Sequence, residues 1–246
     1  MSTETLAVLS STASITMRDK LIVALDLPTA DAARDMVARV GNTAGAYKVG
    51  LQLFTAEGPR LVQELARSGH KVFLDLKLHD IPNTVSHAVN AIAGLGVSML
   101  TVHAAGGSSM LRGAVEAAGG RMAVLAVTVL TSFGEDDLHE TGVRGATPDQ
   151  VLRLAALAQD NGCAGVVTSA RETALVRKSL GDSLIIVNPG VRPAGTGSDD
   201  QERTATPAEA VQAGASYVVV GRPITKAADP AKAAAKIVLE MAADFR

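Results

Sequence analysis

The chain has 246 residues, a hydrophobic fraction of 47%, 23 glycines and a formal net charge of −2. This length is ordinary for a single α/β barrel. The near-neutral charge and the aromatic content of 2% argue against a basic patch or a stacking platform for nucleic acid. No apolar run approaches the length of a membrane span, so we expect neither nucleic acid nor a membrane as a partner.

The single cysteine and the N-terminal segment indicate the compartment. Cys163 excludes a disulfide within the chain and favours a reducing, cytoplasmic location. Residues 1–16 are rich in Ser and Thr and lack the basic start of a signal peptide. We therefore predict a flexible extension over residues 1–16 and one catalytic domain over residues 17–246.

Eight short apolar runs recur along the chain and are interpreted as strands. They are continuous rather than alternating, which is typical of parallel strands covered by helices. Amphipathic segments separate them, so the order predicts a single (β/α)8 (TIM) barrel. A doubly wound sheet is the alternative, weakened because no Gly-x-Gly-x-x-Gly follows the first strand. The predicted strands are 21–27, 46–51, 72–78, 98–103, 122–130, 164–168, 184–188 and 217–221.

Several connections carry signals of their own. Thr147 and Thr206 are each followed by proline and, three residues on, by Gln or Glu, which predicts capping boxes at two helix starts. The connections 131–146 and 190–205 are too long for simple turns and are predicted to be lids or binding loops. Within the second, residues 194–198 form a flexible stretch suited to closing over a ligand.

Charged residues gather where strands one to three end. In a barrel the active site lies at the carboxyl ends of the strands. Asp75 and Lys77 are two residues apart, so both point to one face of the third strand. An exposed pair of solvated charges is the alternative, but it needs an exposed sheet that the apolar pattern does not favour. Asp26 and Lys48 extend the pair into a line of alternating charge, and Asp80 follows just beyond the strand.

The ends of strands seven and eight resemble phosphate sites. Pro189, Gly190 and Arg192 follow the seventh strand, and Gly221 with Arg222 follows the eighth. Glycine allows close approach of the backbone and arginine can give bidentate hydrogen bonds, so two such turns indicate a phosphorylated ligand.

His103 ends the fourth strand, and its role is open between a general acid–base and a histidine of the barrel wall. The histidines are otherwise scattered, and no Cys–His spacing suggests zinc, so we expect no metal site.

These motifs together resemble the orotidine 5'-monophosphate decarboxylase family, over nearly the whole chain from about residue 21 onward. The signature Asp-x-Lys-x-x-Asp-Ile-x-x-Thr over residues 75–84 is the most specific of them. In chain order the motifs are Leu-Ile-Val-Ala-Leu-Asp26, Tyr-Lys48-Val-Gly, Phe-Leu-Asp75-Leu-Lys77-Leu-His-Asp80-Ile-Pro-Asn-Thr84, Thr-Val-His103-Ala-Ala-Gly-Gly, Val-Thr-Val-Leu-Thr131-Ser, Asn-Pro-Gly-Val-Arg192, Asp-Gln201-Glu-Arg and Val-Gly-Arg222-Pro-Ile.

The resemblance implies decarboxylation of orotidine 5'-monophosphate to uridine 5'-monophosphate without a cofactor. It makes Lys77 the proton donor to C6 of the pyrimidine and places Asp75 beside the departing carboxylate. Lys48 would link Asp75 to the ribose, and Asp80 would be contributed across a homodimer interface. The substrate-binding residues that it implies are Asp26, Ile81, Thr84, Thr131, Pro189, Arg192, Gln201, Gly221 and Arg222, with Ile81 and Thr84 from the same interface as Asp80.

Two other functions remain open on the residues alone. A magnesium-dependent keto-sugar phosphate decarboxylase or hexulose phosphate synthase would share the Asp-x-Lys-x-x-Asp motif, but we expect an acidic metal ligand near it, and the second strand ends in Lys48. A non-catalytic barrel that binds a phosphorylated ligand is the other, since fold alone does not give function. Such a module would be expected to have lost one of four charged residues of the motif. All four are present: Lys48, Asp75, Lys77 and Asp80.

Overall fold

A computed structural model describes residues 16–193 and 205–243. Eight parallel strands, β1 to β8, close into a barrel in chain order, each paired with its neighbour and β8 with β1. The closed order confirms the predicted (β/α)8 barrel and excludes the doubly wound sheet. The strands are β1 Leu21–Ala24, β2 Ala46–Gly50, β3 Val72–Leu78, β4 Met99–His103, β5 Ala123–Val127, β6 Gly165–Val167, β7 Ile185–Asn188 and β8 Tyr217–Val220.

Helices alternate with the strands and cover the outside of the barrel. A short 3-10 helix, Met17–Lys20, leads into β1. The helices are α1 Ala30–Val40, α2 Leu51–Glu57, α3 Pro59–Arg67, α4 Pro82–Ala93, α5 Gly107–Ala118, α6 Glu135–Glu140, α7 Thr147–Asp160, α8 Ala170–Leu180, α9 Pro207–Gln212, α10 Arg222–Thr225 and α11 Pro230–Ala243. The boundary predicted between an extension and a domain at residue 17 stays a prediction, because residues 1–15 lie outside the described part.

Each strand divides its side chains between two apolar cores, which explains why the strands read as continuous apolar runs. One set fills the barrel interior and includes Ile22, Phe73 and Leu125; the other packs between sheet and helices and includes Leu74. Interior side chains from successive strands stack in layers, so the barrel is solid below its mouth. The mouth is therefore where a ligand can enter.

The predicted strands β1 and β5 were too long. The first ends at Ala24 rather than at residue 27, and the fifth spans Ala123–Val127 rather than 122–130. The apolar residues Leu27 and Leu130 continue each run past the last ladder hydrogen bond and line a cavity instead. Apolar character alone does not separate a strand from the loop that shapes the site above it.

One of the two predicted capping boxes is present. The hydroxyl of Thr206 accepts a hydrogen bond from the Glu209 N–H at 3.2 Å, and the Glu209 carboxylate accepts one from the Thr206 N–H at 2.8 Å. The prediction for Thr147 was wrong. Ala146 has the extended backbone of the capping position, so α7 already includes Thr147, whose buried hydroxyl has no partner among the described residues.

The two long connections have different outcomes. Residues 131–146 are not simply a loop, because they contain α6. Gly134 precedes this helix, and the Asp137 carboxylate accepts a hydrogen bond from the Gly134 N–H. Of residues 190–205, the stretch 194–204 lies outside the described residues, so the predicted lid stays a prediction. Within the described part of the chain, no helix is long and apolar enough to cross a membrane.

The Arg177 side chain of α8 forms hydrogen bonds to the segments that lead into β7 and β8, at the base of the barrel. Its guanidinium donates to the carbonyls of Gly181 at 3.0 Å, Leu184 at 2.9 Å and Gly214 at 2.8 Å. We expect Arg177→Ala to lower the free energy of unfolding by about 2–3 kcal/mol, because three carbonyls, two of them partly buried, lose a charged donor. Urea unfolding checks this, with Lys178→Ala, an exposed residue of the same helix, as the control. Equal values for the two variants would contradict the role.

Candidate active site

A cavity of about 610 Å³ opens at the carboxyl ends of the strands. Its lining joins the charged strand ends on one side to the glycine–arginine turns on the other. Of the residues predicted to form the site, the structure brings together at this cavity Asp26, Lys48, Asp75, Lys77, Thr131, Pro189, Arg192, Gly221 and Arg222. Residues far apart in the sequence thus share one concave surface.

Four side chains form a line of alternating charge across one wall. The Lys48 Nζ lies 2.8 Å from the Asp26 Oδ1 and 3.7 Å from the Asp75 Oδ2. The Lys77 Nζ lies 2.9 Å from both oxygens of Asp75. The side chains of Lys48 and Asp75 are only 11% and 13% exposed. Each of these two buried charges therefore has an opposite charge beside it, which offsets the cost of burial.

Strand β3 places Asp75 and Lys77, the central pair of the site, on one face, as the alternation of side chains along a strand predicts. Phe73 belongs to the barrel interior and Leu74 to the outer core, and Asp75 and Lys77 line the cavity on the interior side. The ladder to β4 is irregular here, since its register shifts between Leu74 and Leu78. The two-residue spacing of Asp75 and Lys77 thus places both side chains at the cavity, even though the strand is not regular.

Lys77 itself has an unusual backbone. Its φ of 51° is the one positive value for a residue other than glycine among residues 16–193 and 205–243. A side chain in this left-handed region costs about 1–3 kcal/mol, and such residues gather at functional sites. The fold holds Lys77 in this conformation against its own preference, which supports a functional role.

Gly50 makes room for the second lysine. A Cβ placed on Gly50 would lie 2.8 Å from the Lys48 Nζ and 3.1 Å from the Asp26 Oδ1. Any side chain there would push the ammonium from its carboxylate, so glycine at the end of β2 preserves the pair. No role for Gly50 follows from the sequence motif alone; the signal that could have indicated one is its position two residues after Lys48 at a strand end.

The turn after β7 is anchored by a buried amide. Asn188 is fully buried; its Nδ2 donates to the Thr168 carbonyl at 2.8 Å and its Oδ1 accepts from the Thr173 hydroxyl at 2.9 Å. Gly190 follows with a positive φ of 73°, which favours glycine. These bonds fix the point from which the segment with Arg192 leaves the strand.

The turn after β8 carries a basic residue that sequence reasoning did not single out. Lys226 lines the same cavity as Arg222, and it follows the short helix α10. Its side chain is exposed and forms no ion pair with any residue that the structure describes. The side of the cavity that the sequence predicts to bind phosphate therefore carries three cationic side chains among the described residues, those of Arg192, Arg222 and Lys226.

The remaining predicted residues lie elsewhere. Asp80, Ile81 and Thr84 are exposed and do not line the cavity of their own chain, and Ile81 is 66% exposed. The Asp80 carboxylate accepts the Ile81 N–H at 2.6 Å. Gln201 lies outside the described residues, so its predicted contact stays a prediction.

His103 does not line the cavity either, which favours the wall histidine over the general acid–base. Burial lowers its pKa, and the positive charges of His79 and Lys77 lower it further. Its ring lies 5.4 Å from that of His79, and its Nδ1 has no hydrogen-bond partner among the described residues. These surroundings favour the neutral form of His103.

Cys163 is buried, and burial raises the pKa of its thiol to about 12. Such a thiol is a poor nucleophile. In the two described ranges, no group of three or more His, Cys, Asp or Glu side chains is placed to hold a metal ion.

Fold and cavity together define a (β/α)8-barrel protein with a charged candidate active site at the carboxyl ends of its strands. The family model described as "Orotidine 5'-phosphate decarboxylase / HUMPS family" matches residues 19–237. The chain belongs to this family.

Individual relatives agree with the family. The chain is 50% identical to an orotidine 5'-phosphate decarboxylase of Methylobacterium sp. (strain 4-46) over 94% of this chain and 99% of that one. It is 52% identical to one of Anaeromyxobacter sp. (strain K), over 89% and 96%. A crystal structure of orotidine 5'-phosphate decarboxylase from Lactobacillus acidophilus superimposes with a TM-score of 0.81 at 39% identity, covering 90% and 98%.

Proposed function

We propose that this chain decarboxylates orotidine 5'-monophosphate to uridine 5'-monophosphate and carbon dioxide, a step of pyrimidine nucleotide synthesis, with no cofactor. The observation that carries the proposal is the line Asp26–Lys48–Asp75–Lys77, held by contacts of 2.8–3.7 Å at the mouth of the barrel. The relatives that are named orotidine 5'-phosphate decarboxylases support the substrate.

Lys77 supplies the positive charge at the reacting carbon. Loss of carbon dioxide from C6 leaves an electron pair on carbon, and the ammonium of Lys77 stabilises that pair and then transfers a proton to it. Its attraction grows as charge develops, so it stabilises the transition state more than the bound substrate. The Asp75 oxygens, each 2.9 Å from its Nζ, hold the ammonium in place.

Asp75 has a second effect on the bound substrate. Its carboxylate contacts the Lys77 ammonium, and the substrate carboxylate would lie next to it at the same ammonium. Two like charges at this close range destabilise the bound substrate, the ground state of the reaction. The repulsion disappears as neutral carbon dioxide leaves, which lowers the barrier further. We rank this effect below the electrostatic stabilisation by Lys77.

Lys48 and Asp26 hold the ribose in the proposed complex. Their contact of 2.8 Å leaves an ammonium and a carboxylate at the cavity wall, which together can donate to and accept from sugar hydroxyls. Lys48 also lies 3.7 Å from Asp75. Binding of the sugar is thereby tied to the position of the catalytic carboxylate.

The opposite side of the cavity binds the phosphate and the edge of the base. Arg192 and Arg222 give the phosphate charge-assisted hydrogen bonds, and Gly221 with Pro189 shapes the turns that carry them. Thr131 contacts the pyrimidine; the family resemblance gives the same role to Gln201, which lies outside the described residues. Energy from these remote contacts positions the substrate and excludes water from the reacting carbon.

The active unit that we propose is a homodimer. Asp80, Ile81 and Thr84 are exposed on one chain and do not line its own cavity. In the dimer they enter the partner's cavity, where Asp80 adds a second carboxylate beside Lys77. Each site is then completed by the neighbouring chain.

Phosphate recognition gives a test of one side of the cavity. We expect Arg222→Ala to raise KM for orotidine 5'-monophosphate by about tenfold to a hundredfold, because a charged hydrogen bond is worth roughly 1.5–3 kcal/mol. Turnover of orotidine, which has no phosphate, should hardly change. Steady-state kinetics on both substrates check this, and equal losses on the two would remove the phosphate role.

The function itself is tested against the rival barrel enzymes in one experiment. The protein, treated with excess chelator, is offered orotidine 5'-monophosphate and, separately, a keto-sugar phosphate with and without added magnesium. We expect full activity on the nucleotide in chelator and none on the sugar. Activity on the sugar that depends on magnesium would overturn the proposal, and activity on neither would favour a binding module.

We also infer a cytoplasmic location and no binding of nucleic acid. A lone buried thiol suits a reducing compartment, and a net charge of −2 gives nucleic acid little attraction. Cell fractionation and a gel-shift assay test the two statements.

A further inference from the structure

A buried hydroxyl on β4 contacts both members of the central pair. Thr101 is fully buried, and its side chain lies in the barrel interior next to β3. Its Oγ1 accepts a hydrogen bond from the Lys77 backbone N–H at 2.8 Å and lies 3.0 Å from the Asp75 Oδ1.

The two contacts fix the direction of the hydroxyl. The Lys77 N–H is a donor only, so Oγ1 accepts from it, and the carboxylate of Asp75 is an acceptor, so the hydroxyl hydrogen points to Asp75. A threonine hydroxyl has a single hydrogen to donate, which these contacts use. The hydroxyl therefore couples the Lys77 backbone to the Asp75 carboxylate.

The hydroxyl stands where the β3–β4 ladder is interrupted. Leu74 pairs with Leu100 and Leu78 pairs with Val102, so three residues of β3, 75–77, face the single residue Thr101. The extra residues form an irregularity in which Lys77 takes its left-handed φ of 51°. Its backbone N–H cannot reach a regular ladder partner there, and the Thr101 side chain replaces that partner.

We propose that Thr101 is a positioning residue for decarboxylation: its hydroxyl holds Lys77 in the left-handed conformation and aims Asp75 at the Lys77 ammonium. This inference rests on the proposed function. Thr101 does not line the cavity, so it acts through the two residues that do.

The test replaces the hydroxyl and keeps the size. We expect Thr101→Val to lower kcat for orotidine 5'-monophosphate by about tenfold to a hundredfold, the loss that a misplacement of about 1 Å produces. KM should change less than about threefold, since the phosphate contacts that set much of the binding are elsewhere. Thr101→Ser keeps the hydroxyl and should restore kcat to within a few fold of the unchanged protein.

A matched control separates this role from ordinary packing. Thr128 is also buried, at 2% exposure, and its hydroxyl donates to the Val167 carbonyl at 3.0 Å, away from Asp75 and Lys77. We expect Thr128→Val to lose stability without a selective loss of kcat. If Thr101→Val does not fold, Thr101→Cys, whose thiol is a weak donor, replaces it and should lower kcat in the same direction.

Hydrogen exchange gives a readout that does not depend on activity. The Lys77 amide should exchange faster in Thr101→Val than in Thr128→Val, because it alone loses its acceptor. Equal kcat values for the two valine variants, no rescue by serine, or an unchanged Lys77 amide would overturn the positioning role. Failure of the unchanged protein to act on the nucleotide would instead overturn the proposed function.

Discussion

We expect Lys77→Ala to lower kcat for orotidine 5'-monophosphate by about 10⁴-fold or more, the scale of loss seen when a central catalytic group is removed. The cavity offers no substitute. Lys48 is the other lysine on the charged wall, and its Nζ is held between Asp26 and Asp75 at 2.8 and 3.7 Å. Without Lys77 the electron pair at C6 loses both its neighbouring positive charge and its proton donor.

Binding should survive this substitution, because the proposed phosphate contacts lie on the other side of the cavity. Calorimetry with uridine 5'-monophosphate should still give a measurable affinity for Lys77→Ala. The control is Lys71→Ala, an exposed lysine just before the same strand, which should keep normal turnover. Turnover of Lys77→Ala close to that of the control would contradict the assignment of Lys77 as the proton donor.

The second large effect concerns two inactive variants that should recover activity when mixed. Asp80→Ala should be nearly inactive, because in the proposed dimer each site would lose the carboxylate supplied by its neighbour. In a mixed dimer of Asp80→Ala with Lys77→Ala, one site has lost both residues and the other has lost neither. Random exchange of subunits at equal amounts should therefore restore about a quarter of the normal activity, since half of the dimers have one intact site of two.

The measurement needs mild dissociation and reassociation of the two purified variants before the assay. A mixture of Lys77→Ala with Asp75→Ala is the control, because both residues belong to one chain's own wall. In that control every site of the mixed dimer lacks one of the two, so activity should stay absent. Recovery in the control, or none with Asp80→Ala, would contradict the shared site.

The sequence predicted the barrel and the central pair for related physical reasons. Continuous apolar runs indicate strands buried on both faces, and the two-residue spacing of Asp75 and Lys77 puts both on one face of such a strand. The carboxyl ends of all strands meet at one mouth, so Asp26 and Lys48 were expected beside them. Their contacts of 2.8–3.7 Å agree with that expectation.

What sequence reasoning missed depends on register and on backbone conformation. Thr101 reads as one polar residue in an apolar strand, and only the shifted β3–β4 register brings its hydroxyl to the Lys77 N–H. Gly50 reads as an ordinary strand end until the position of the Lys48 ammonium is known. The capping box at Thr147 failed because the same Thr-Pro pattern fits a helix that begins one residue earlier.

We propose that this chain decarboxylates orotidine 5'-monophosphate with its own side chains and protonates C6. The most direct measurement incubates the chelator-treated protein with the nucleotide in D₂O and follows the product by NMR. Because the Lys77 ammonium exchanges its protons with solvent, we predict uridine 5'-monophosphate with deuterium at C6. Unchanged nucleotide in chelator, with turnover only after a divalent metal is added, would contradict the claim.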